Sequence, residues 1–196
     1  MVAPLPTTTL RRQRGSSMIE VLVTLVIVSF GLLGLAGLQA RLQTSEMESY
    51  QRSQALMLLN DMANRIATNR GSAAAYAVGA GVDSPLGAGM TCPTATSTMV
   101  QTDLREWCNA LQGAGEILGG TGGTSVGAMI GGRGCVEDLG NGEYFITVAW
   151  QGLTPISAPP TSVACGLNSY NTSGSSCVGD LCRRTVTTLV RITIVS

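Results

Sequence analysis

The first residues with a recognisable chemical pattern are a glycine, a serine and a glutamate that precede a long apolar segment. Gly15 and Ser16 follow a basic stretch, and Glu20 is followed by 18 residues, 21–38, without an ionisable group. A carboxylate deep in a membrane costs up to about 2.5–3.5 kcal/mol, so a cation is expected close to it. Cleavage between Gly15 and Ser16 would create an α-amine four residues before Glu20. The spacing therefore predicts an amine–carboxylate contact within one chain or between neighbouring copies.

The apolar segment that follows Glu20 predicts a membrane-spanning helix. Its length as a helix is about 27 Å at about 1.5 Å per residue, close to the thickness of the bilayer hydrocarbon. Arg11, Arg12 and Arg14 are the only charged residues before position 20. The positive-inside rule keeps these arginines in the cytoplasm. We therefore expect the chain beyond about residue 39 to be exported.

Three other kinds of signal compete for this segment. A cleaved secretory signal has a core of about 7 to 15 residues, and Gly34-Leu35-Ala36 could serve as its cleavage site, but Glu20 is atypical of such signals. A lipoprotein signal requires a cysteine where this chain has Leu38. An uncleaved signal anchor fits the length and the charge pattern. It leaves Glu20 unexplained.

The stretch Gly15-Ser16-Ser17-Met18-Ile19-Glu20 and its apolar continuation resemble the class III signal peptides of type IV pilins and pseudopilins. In that family, prepilin peptidase removes the leader after the glycine, the new amine is methylated, and the fifth mature residue is glutamate. The resemblance implies cleavage between Gly15 and Ser16, methylation of Ser16, and a docking role for Glu20. Ser16 departs from the phenylalanine that usually comes first. The segment Ser-Met-Ile-Glu-Val-Leu-Val is similar to that of PilV-type minor pilins.

The resemblance also implies a fold, a location and partners. The fold class is α+β, with a long N-terminal helix packed on a small antiparallel sheet. The subunit would reside in the inner membrane with a periplasmic head, and later in a surface pilus. Its partners would be prepilin peptidase, the inner-membrane assembly machinery, other minor pilins and the major pilin. Its role would be to prime or cap the filament and to support adhesion or twitching motility.

Two alternatives to a pilus subunit remain open. A minor pseudopilin of type II secretion has the same leader and helix, although pseudopilin heads are usually shorter and have fewer cysteines. A signal-anchored periplasmic binding module is the second alternative. It would require neither cleavage at Gly15 nor the carboxylate of Glu20.

The helical pattern continues beyond the membrane segment and divides the chain into three parts. Apolar residues recur at steps of three and four, or multiples of them, and no proline occurs between positions 10 and 71; the residues are Leu42, Leu56, Leu59, Met62 and Ile66. We expect a leader at 1–15, one helix at 16–70 with 18–38 in the membrane, and a globular head at 71–196. Gly31, Gly34 and Gly37 would allow close helix packing in lipid. Alternatively they form a hinge, because glycine weakens a helix by about 1 kcal/mol relative to alanine.

Six cysteines lie on the exported side of the membrane segment, which predicts three disulfides. They are Cys92, Cys108, Cys135, Cys165, Cys177 and Cys182. The sequence does not fix their pairing; we expect Cys92 to pair with Cys108, and one bond within the last three. Zinc is disfavoured, because the chain has no histidine and no C-x-x-C pair.

Local patterns predict the elements of the head. We expect a short helix around 102–111, a hairpin of 134–138 and 143–150 around Asn141-Gly142, and a final strand at 184–195. Between them we expect a linker at 71–90, a flexible glycine-rich loop at 113–134, and a disulfide-tied, surface-exposed flap at 153–183.

Composition argues against catalysis and nucleic-acid binding. The chain has no histidine and no lysine, so the common general bases and activated nucleophiles are largely missing. Glu137 and Asp138 are adjacent in a strand and point to opposite faces, so they cannot flank one bond. Removal of the leader leaves nine basic and 12 acidic residues, and the arginines are dispersed apart from Arg183-Arg184. We expect no enzyme activity, no cofactor, no metal and no nucleic-acid partner.

Overall fold

The computed structural model describes residues 17–79, 85–115, 117–118, 124–125, 127 and 129–193. The chain forms two compact units, residues 1–43 and 44–196, and each is described by itself. Together they hold a long apolar N-terminal helix, a four-stranded antiparallel sheet and three disulfides, an α+β architecture of the pilin-like kind, as expected.

Helix α1 spans Met18–Thr68, close to the predicted bounds. In the second unit its buried face is formed by residues three or four apart, which are Gln51, Ala55, Leu59, Met62 and Ile66. Leu42 and Leu56 are not part of this face; their side chains are 52% and 40% exposed. Leu56 is exposed because the buried stripe passes through its neighbour Ala55, and adjacent residues of a helix point about 100° apart around its axis.

In its described residues, the head contains a second helix and six strands. A 3₁₀ helix, Arg70–Tyr76, follows α1, and α2 spans Met99–Leu111. The strands are β1 (Leu86–Gly87), β2 (Ile117–Leu118), β3 (Thr124–Ser125), β4 (Arg133–Gly140), β5 (Glu143–Gln151) and β6 (Arg183–Arg191). The main sheet has the order β1-β4-β5-β6 with antiparallel pairs, and β2 pairs with β3 separately.

The hairpin between β4 and β5 turns at Asn141-Gly142, as the sequence predicted. Both residues have positive φ, +53° and +76°, which is the pattern of a type I′ turn. Its backbone twist matches the right-handed twist of the flanking strands, so the turn sets the register of the hairpin. This register places Tyr144, Ile146 and Val148 on the face of β5 that packs in the core.

Trp107 lies at the centre of the core, between the two helices and the sheet. It is fully buried, and its indole N–H donates a hydrogen bond of 2.9 Å to the carbonyl of Leu58 in α1. The ring lies so close to β4 that a Cβ on Gly134 would be only 2.3 Å from it. Glycine is therefore required at position 134 for α2 to dock. Burial of the indole, with its polar atom satisfied, makes Trp107 a principal source of head stability.

Helix α2 begins three residues earlier than expected. Thr98 caps it by accepting a hydrogen bond from the backbone N–H of Gln101 at 3.2 Å, while the side chain of Gln101 accepts one from Ser97. The cap and its partner at the third helical position are a readable start signal that the apolar pattern alone does not show.

The predicted linker at 71–90 is wrong in its described part. Ala73 and Tyr76 are buried, Val78 exchanges two backbone hydrogen bonds with Val136, and β1 adds to the edge of β4. Small residues look like linker residues in composition, yet here their size lets the backbone approach the sheet closely.

The predicted surface flap at 153–183 is only partly exposed. Cys165, Tyr170, Asp180 and Cys182 are buried. The part of the segment around Cys165 and Gly166 covers the face of the sheet opposite α1, and this is why Thr147 and Ala149 of β5 are as fully buried as Ile146 and Val148. The glycine-rich region 113–134 falls partly outside the described residues. The final strand ends at Arg191 rather than 195.

Candidate functional site

Glu20 is the third residue of α1, within its first turn. The backbone N–H of Glu20 donates to the carbonyl of Ser17 at 2.9 Å and approaches the Ser17 hydroxyl at 3.4 Å. This Ser-x-x-Glu arrangement is the signature of a helix N-terminal capping box, and a carboxylate there also faces the positive end of the helix dipole. Sequence reasoning centred on Glu20 as an ion-pair partner and missed this local role. Gly15 and Ser16 lie outside the described residues.

The first half of α1 exposes apolar side chains on all sides. Every described residue from 17 to 43 is exposed, and Phe30 and Leu33 are 71% and 69% accessible. A helix that is apolar all round is not stable in water and must be covered by lipid or by other chains. Within the described residues, α1 is the helix that is long and apolar enough to cross a membrane.

Gly31, Gly34 and Gly37 lie inside this helix. A Cβ atom at any of the three would meet nothing within 4 Å. The glycines therefore leave a shallow strip on the helix surface without serving any contact inside the chain. Close packing against a neighbouring helix and a hinge both stay predictions.

The N-terminal segment matches one known family model. Residues 10–36 match the model described as the prokaryotic N-terminal methylation motif. No curated protein and no solved structure matches the chain.

This motif is the class III signal peptide of type IV pilin-like proteins, and it supports a type IV pilin-like or pseudopilin protein. It implies processing by prepilin peptidase and anchoring in a membrane by the apolar helix. Proteins of this kind are structural subunits rather than enzymes. The matched residues include Gly15, Ser16 and Glu20, which the sequence reasoning singled out.

The structure pairs all six cysteines in the head. Cys92 bonds to Cys108, as expected, and Cys177 bonds to Cys182, which is a bond within the last three cysteines, as expected. The remaining bond joins Cys135 to Cys165. The Cys92–Cys108 bond fixes the segment before α2 to that helix, the Cys135–Cys165 bond fixes the 153–183 segment to β4, and the Cys177–Cys182 bond closes a short loop before β6. Their Cα–Cα distances, 5.1 to 5.9 Å, are ordinary for disulfides.

A charged cluster docks α2 onto α1. The Arg65 guanidinium donates to Asp103 at 2.7 Å, to Glu106 at 2.9 Å and to Asp61 at 2.9 Å. The Tyr76 hydroxyl also donates to Asp103. Burial, and then the hydrogen bond to Asp103, raise the pKa of Tyr76. The cluster is structural, because Arg65 joins carboxylates of both helices and Tyr76 adds a hydrogen bond to Asp103.

A second cluster holds the 153–183 segment against the far face of the sheet. The side chain of Arg183 is fully buried; its guanidinium donates to Asp180 at 3.1 Å and to the carbonyls of Val163 and Cys165 at 2.6 and 3.2 Å. Nearby, the Tyr170 hydroxyl donates to the carbonyl of Gly131 at 2.9 Å. From the sequence, we expect Arg183 at the end of the 153–183 flap, and no local pattern indicates its burial.

An open cleft lies between α1, the start of β6 and the residues that follow β5. Its volume is about 600 Å³. Glu48 of α1 closes one side of the cleft. Its carboxylate accepts hydrogen bonds from the backbone N–H of Leu153 at 3.1 Å, the backbone N–H of Thr154 at 3.3 Å and the guanidinium of Arg184 at 3.4 Å. These contacts join residues more than 100 positions apart, and sequence reasoning missed the cleft.

Proposed function

We propose that this protein is a minor pilin of the PilV type, a structural and assembly subunit of a type IV pilus. The observation that carries the proposal is the methylation motif at 10–36, which runs directly into a helix with apolar side chains on every side. The disulfide-tied α+β head on the second half of that helix is consistent with an exported subunit.

The proposed sequence of events begins in the inner membrane. Arg11, Arg12 and Arg14 hold the leader in the cytoplasm, the apolar half of α1 spans the bilayer, and the head folds and forms its disulfides in the periplasm. Prepilin peptidase then cleaves between Gly15 and Ser16, and the new amine of Ser16 is methylated.

Glu20 acts in the next step, when the subunit leaves the bilayer for the filament. Its carboxylate pairs with the N-terminal amine of a neighbouring subunit. In a medium of low dielectric constant, an unpaired charge is strongly unfavourable, so this ion pair selects the axial register in which both charges are neutralised. The subunit thereby primes or caps the filament and supports adhesion or twitching motility.

The mass of the N-terminal peptide of the native protein tests the class. A chain that begins with methylated Ser16 supports the proposal. An intact leader would exclude it in favour of a signal anchor, and a start at Gly37 would indicate ordinary secretion. Protein from a strain without prepilin peptidase provides the control, and it should retain residues 1–15.

A minor pseudopilin of type II secretion is the second candidate, because the same motif occurs there. The length of the head and its three disulfides favour the pilus. Deletion of the gene separates the two candidates. If the protein is a pilus subunit, the deletion should reduce surface filaments and leave protein secretion normal. If it is a pseudopilin, the deletion should reduce protein secretion and leave the filaments normal.

A further inference from the structure

Strand β6 is at the edge of the main sheet and its outer side is unpaired. The N–H of Ile192 donates to Gly142 at 2.8 Å, and the N–H of Gly152 donates to Cys182 at 2.7 Å. In an antiparallel pair, residues that bond to the partner strand alternate with residues whose N–H and C=O point away. The even-numbered residues of β6 therefore bond to β5. The outward-pointing residues are Thr185, Thr187, Leu189 and Arg191, and their backbone groups have no hydrogen-bond partner in the described part of the chain.

This edge lacks the features that normally prevent strands from pairing with other chains. Its register with β5 is continuous, without a bulge, and the strand contains neither proline nor glycine. Its centre, residues 185–190, is the uncharged sequence Thr-Val-Thr-Thr-Leu-Val. Thr187 and Leu189 are exposed. An open edge of this composition is a template for strand addition, and natural proteins usually blunt or cover it.

The cleft lies at one end of this edge. Three successive residues of β6 line it, Arg183, Arg184 and Thr185. Successive side chains of a strand point to opposite faces of the sheet. A cavity lined by all three residues therefore reaches both faces, which places it at the edge of the sheet. Trp150, Ile156 and Pro159 contribute an apolar wall.

One positive charge in the cleft is uncompensated. Arg183 pairs with Asp180, and Arg184 pairs with Glu48. Arg52, on the α1 wall, is exposed and forms no ion pair with any described residue. Ser45 and Ser49 lie on the same helix face as Arg52, at four- and three-residue steps, and also line the cleft. A hydroxyl-flanked guanidinium in this position suits a carboxylate.

We propose that the open edge of β6 binds an extended segment of a different polypeptide, which adds a fifth strand to the sheet and places a carboxylate beside Arg52. Main-chain hydrogen bonds from the four outward-pointing residues would hold the segment, and the cleft would select its acidic end. This inference concerns the head alone and does not depend on the proposed function.

Charge argues against the β6 strand of a second copy as the occupant. The strand from Arg183 to Arg191 contains no acidic residue, so it would bring no carboxylate to Arg52. The proposed segment must supply that carboxylate, and it therefore belongs to a different polypeptide.

Site-specific photo-crosslinking of the full-length protein in its native membrane tests the proposal. A photoreactive residue replaces Thr187, and Met99, an exposed residue at the start of α2, is the control position. We expect an adduct at 187 with another polypeptide, and mass spectrometry should map it to a β-forming segment with an aspartate, glutamate or C-terminus at its cleft end. The control position should not give this adduct.

Two matched pairs of variants establish whether the edge and the cleft are responsible. Leu189→Pro removes an outward N–H that has no hydrogen-bond partner among the described residues, whereas Leu189→Ala keeps it. The proline variant should lower the adduct yield about tenfold relative to the alanine variant. Arg52→Glu should lower it similarly relative to Arg52→Lys. Because Arg52 is exposed and unpaired, neither substitution there should affect folding.

Several outcomes would overturn the proposal. These are the absence of an adduct at 187, an adduct only with a second copy of this chain, or an adduct that maps to a helical segment. Equal yields within both variant pairs would also overturn it. Unfolding temperatures of all variants, measured with disulfides intact, separate loss of binding from loss of fold.

Discussion

Three arginine residues of the second unit have different roles, and the role of each follows from how deeply its side chain is buried. Arg183 is fully buried and satisfies two carbonyls and a carboxylate, so it organises the 153–183 segment. Arg65 is partly buried and joins two helices through three carboxylates. Arg52 is exposed and without an ion pair in the described chain, which leaves its charge available to a partner. The same residue type therefore serves the core, an interface between elements, and the surface.

Replacement of Arg183 should be the most destabilising arginine substitution in the head. Arg183→Met leaves Asp180 buried without its cation, and breaking such a pair costs about 3–5 kcal/mol. Arg191→Met is the control, because Arg191 pairs with Glu143 at the surface and its loss should cost less than about 1 kcal/mol. Urea unfolding followed by circular dichroism measures both values. Similar losses for the two variants would contradict the structural role of Arg183.

Tyr170 predicts a loss of stability at alkaline pH. Burial raises the pKa of Tyr170 to about 12, above the ordinary value of about 10. A pKa raised by folding means that the stabilisation is complete below pH about 10 and is lost as the pH approaches 12. We expect the free energy of unfolding to fall over this range and Tyr170→Phe to reduce the slope. Tyr50→Phe, which changes an exposed tyrosine, is the control substitution.

Glu20→Gln should separate processing from assembly. Glutamine keeps the shape of the side chain but not its charge, so prepilin peptidase should still cleave, while the ion pair proposed with a neighbouring amine would be lost. We expect the assembled fraction to fall at least about tenfold, because removal of one member of a buried ion pair costs several kcal/mol. Immunoblots of sheared filaments and membranes measure the ratio. Glu46→Gln, an exposed position on the same helix, is the control and should assemble normally.

Two of the disulfides join an irregular segment to a helix or strand, and the third closes a loop next to β6; this explains how a head with so much loop remains folded. The bond between Cys135 and Cys165 closes a sequence separation of 30, whereas that between Cys177 and Cys182 closes one of 5. The longer loop has more conformational freedom in the unfolded chain, so its closure contributes more to stability.

Removal of these two bonds should therefore have different costs. Replacement of Cys135 and Cys165 together by alanine should lower the free energy of unfolding by about 3–4 kcal/mol, and replacement of Cys177 and Cys182 by about 2 kcal/mol. Denaturant unfolding of the full chain in detergent provides the comparison. A larger loss for the short loop would show that the 177–182 turn has a role beyond closing its own loop.

Local elements of the fold were predictable, because their signals lie within a few residues. The turn at Asn141-Gly142 requires two positive φ values, and this residue pair is the one that tolerates them. The apolar residues of α1 recur with the period of a helix, and the apolar residues of β5 alternate with the period of a strand, so both elements were visible in the sequence. Capping at Thr98 was equally local and could have been predicted from its Gln101 partner.

The two units of the chain meet opposite physical demands. Residues 17–43 expose apolar side chains on every side, whereas residues 44–196 bury theirs around Trp107. One part therefore needs lipid or neighbouring helices, and the other forms its own core. This division suits a protein that must remain in a membrane and also present a folded head.

Gly15→Val tests the order of events for the whole molecule. The bulkier residue should block cleavage, leaving a full-length chain in the membrane with a folded, disulfide-bonded head and no assembled filament. Ser16→Phe restores the residue most usual at this position and should be cleaved and assembled. Intact mass, thiol labelling and filament counts measure the three properties. Normal filaments from the valine variant would exclude processing at this site.

The sequence by itself determined the membrane segment, the motif around Gly15 and Glu20, the hairpin and the disulfide-forming character of the head, because each depends on residues close together or on composition. The tertiary structure alone decided the burial of Arg183, the path of the 71–79 segment, the Cys135–Cys165 pairing and the cleft beside β6. These features join residues separated by tens of positions or more. Their energies depend on shape and on the satisfaction of buried polar groups, which no local pattern records.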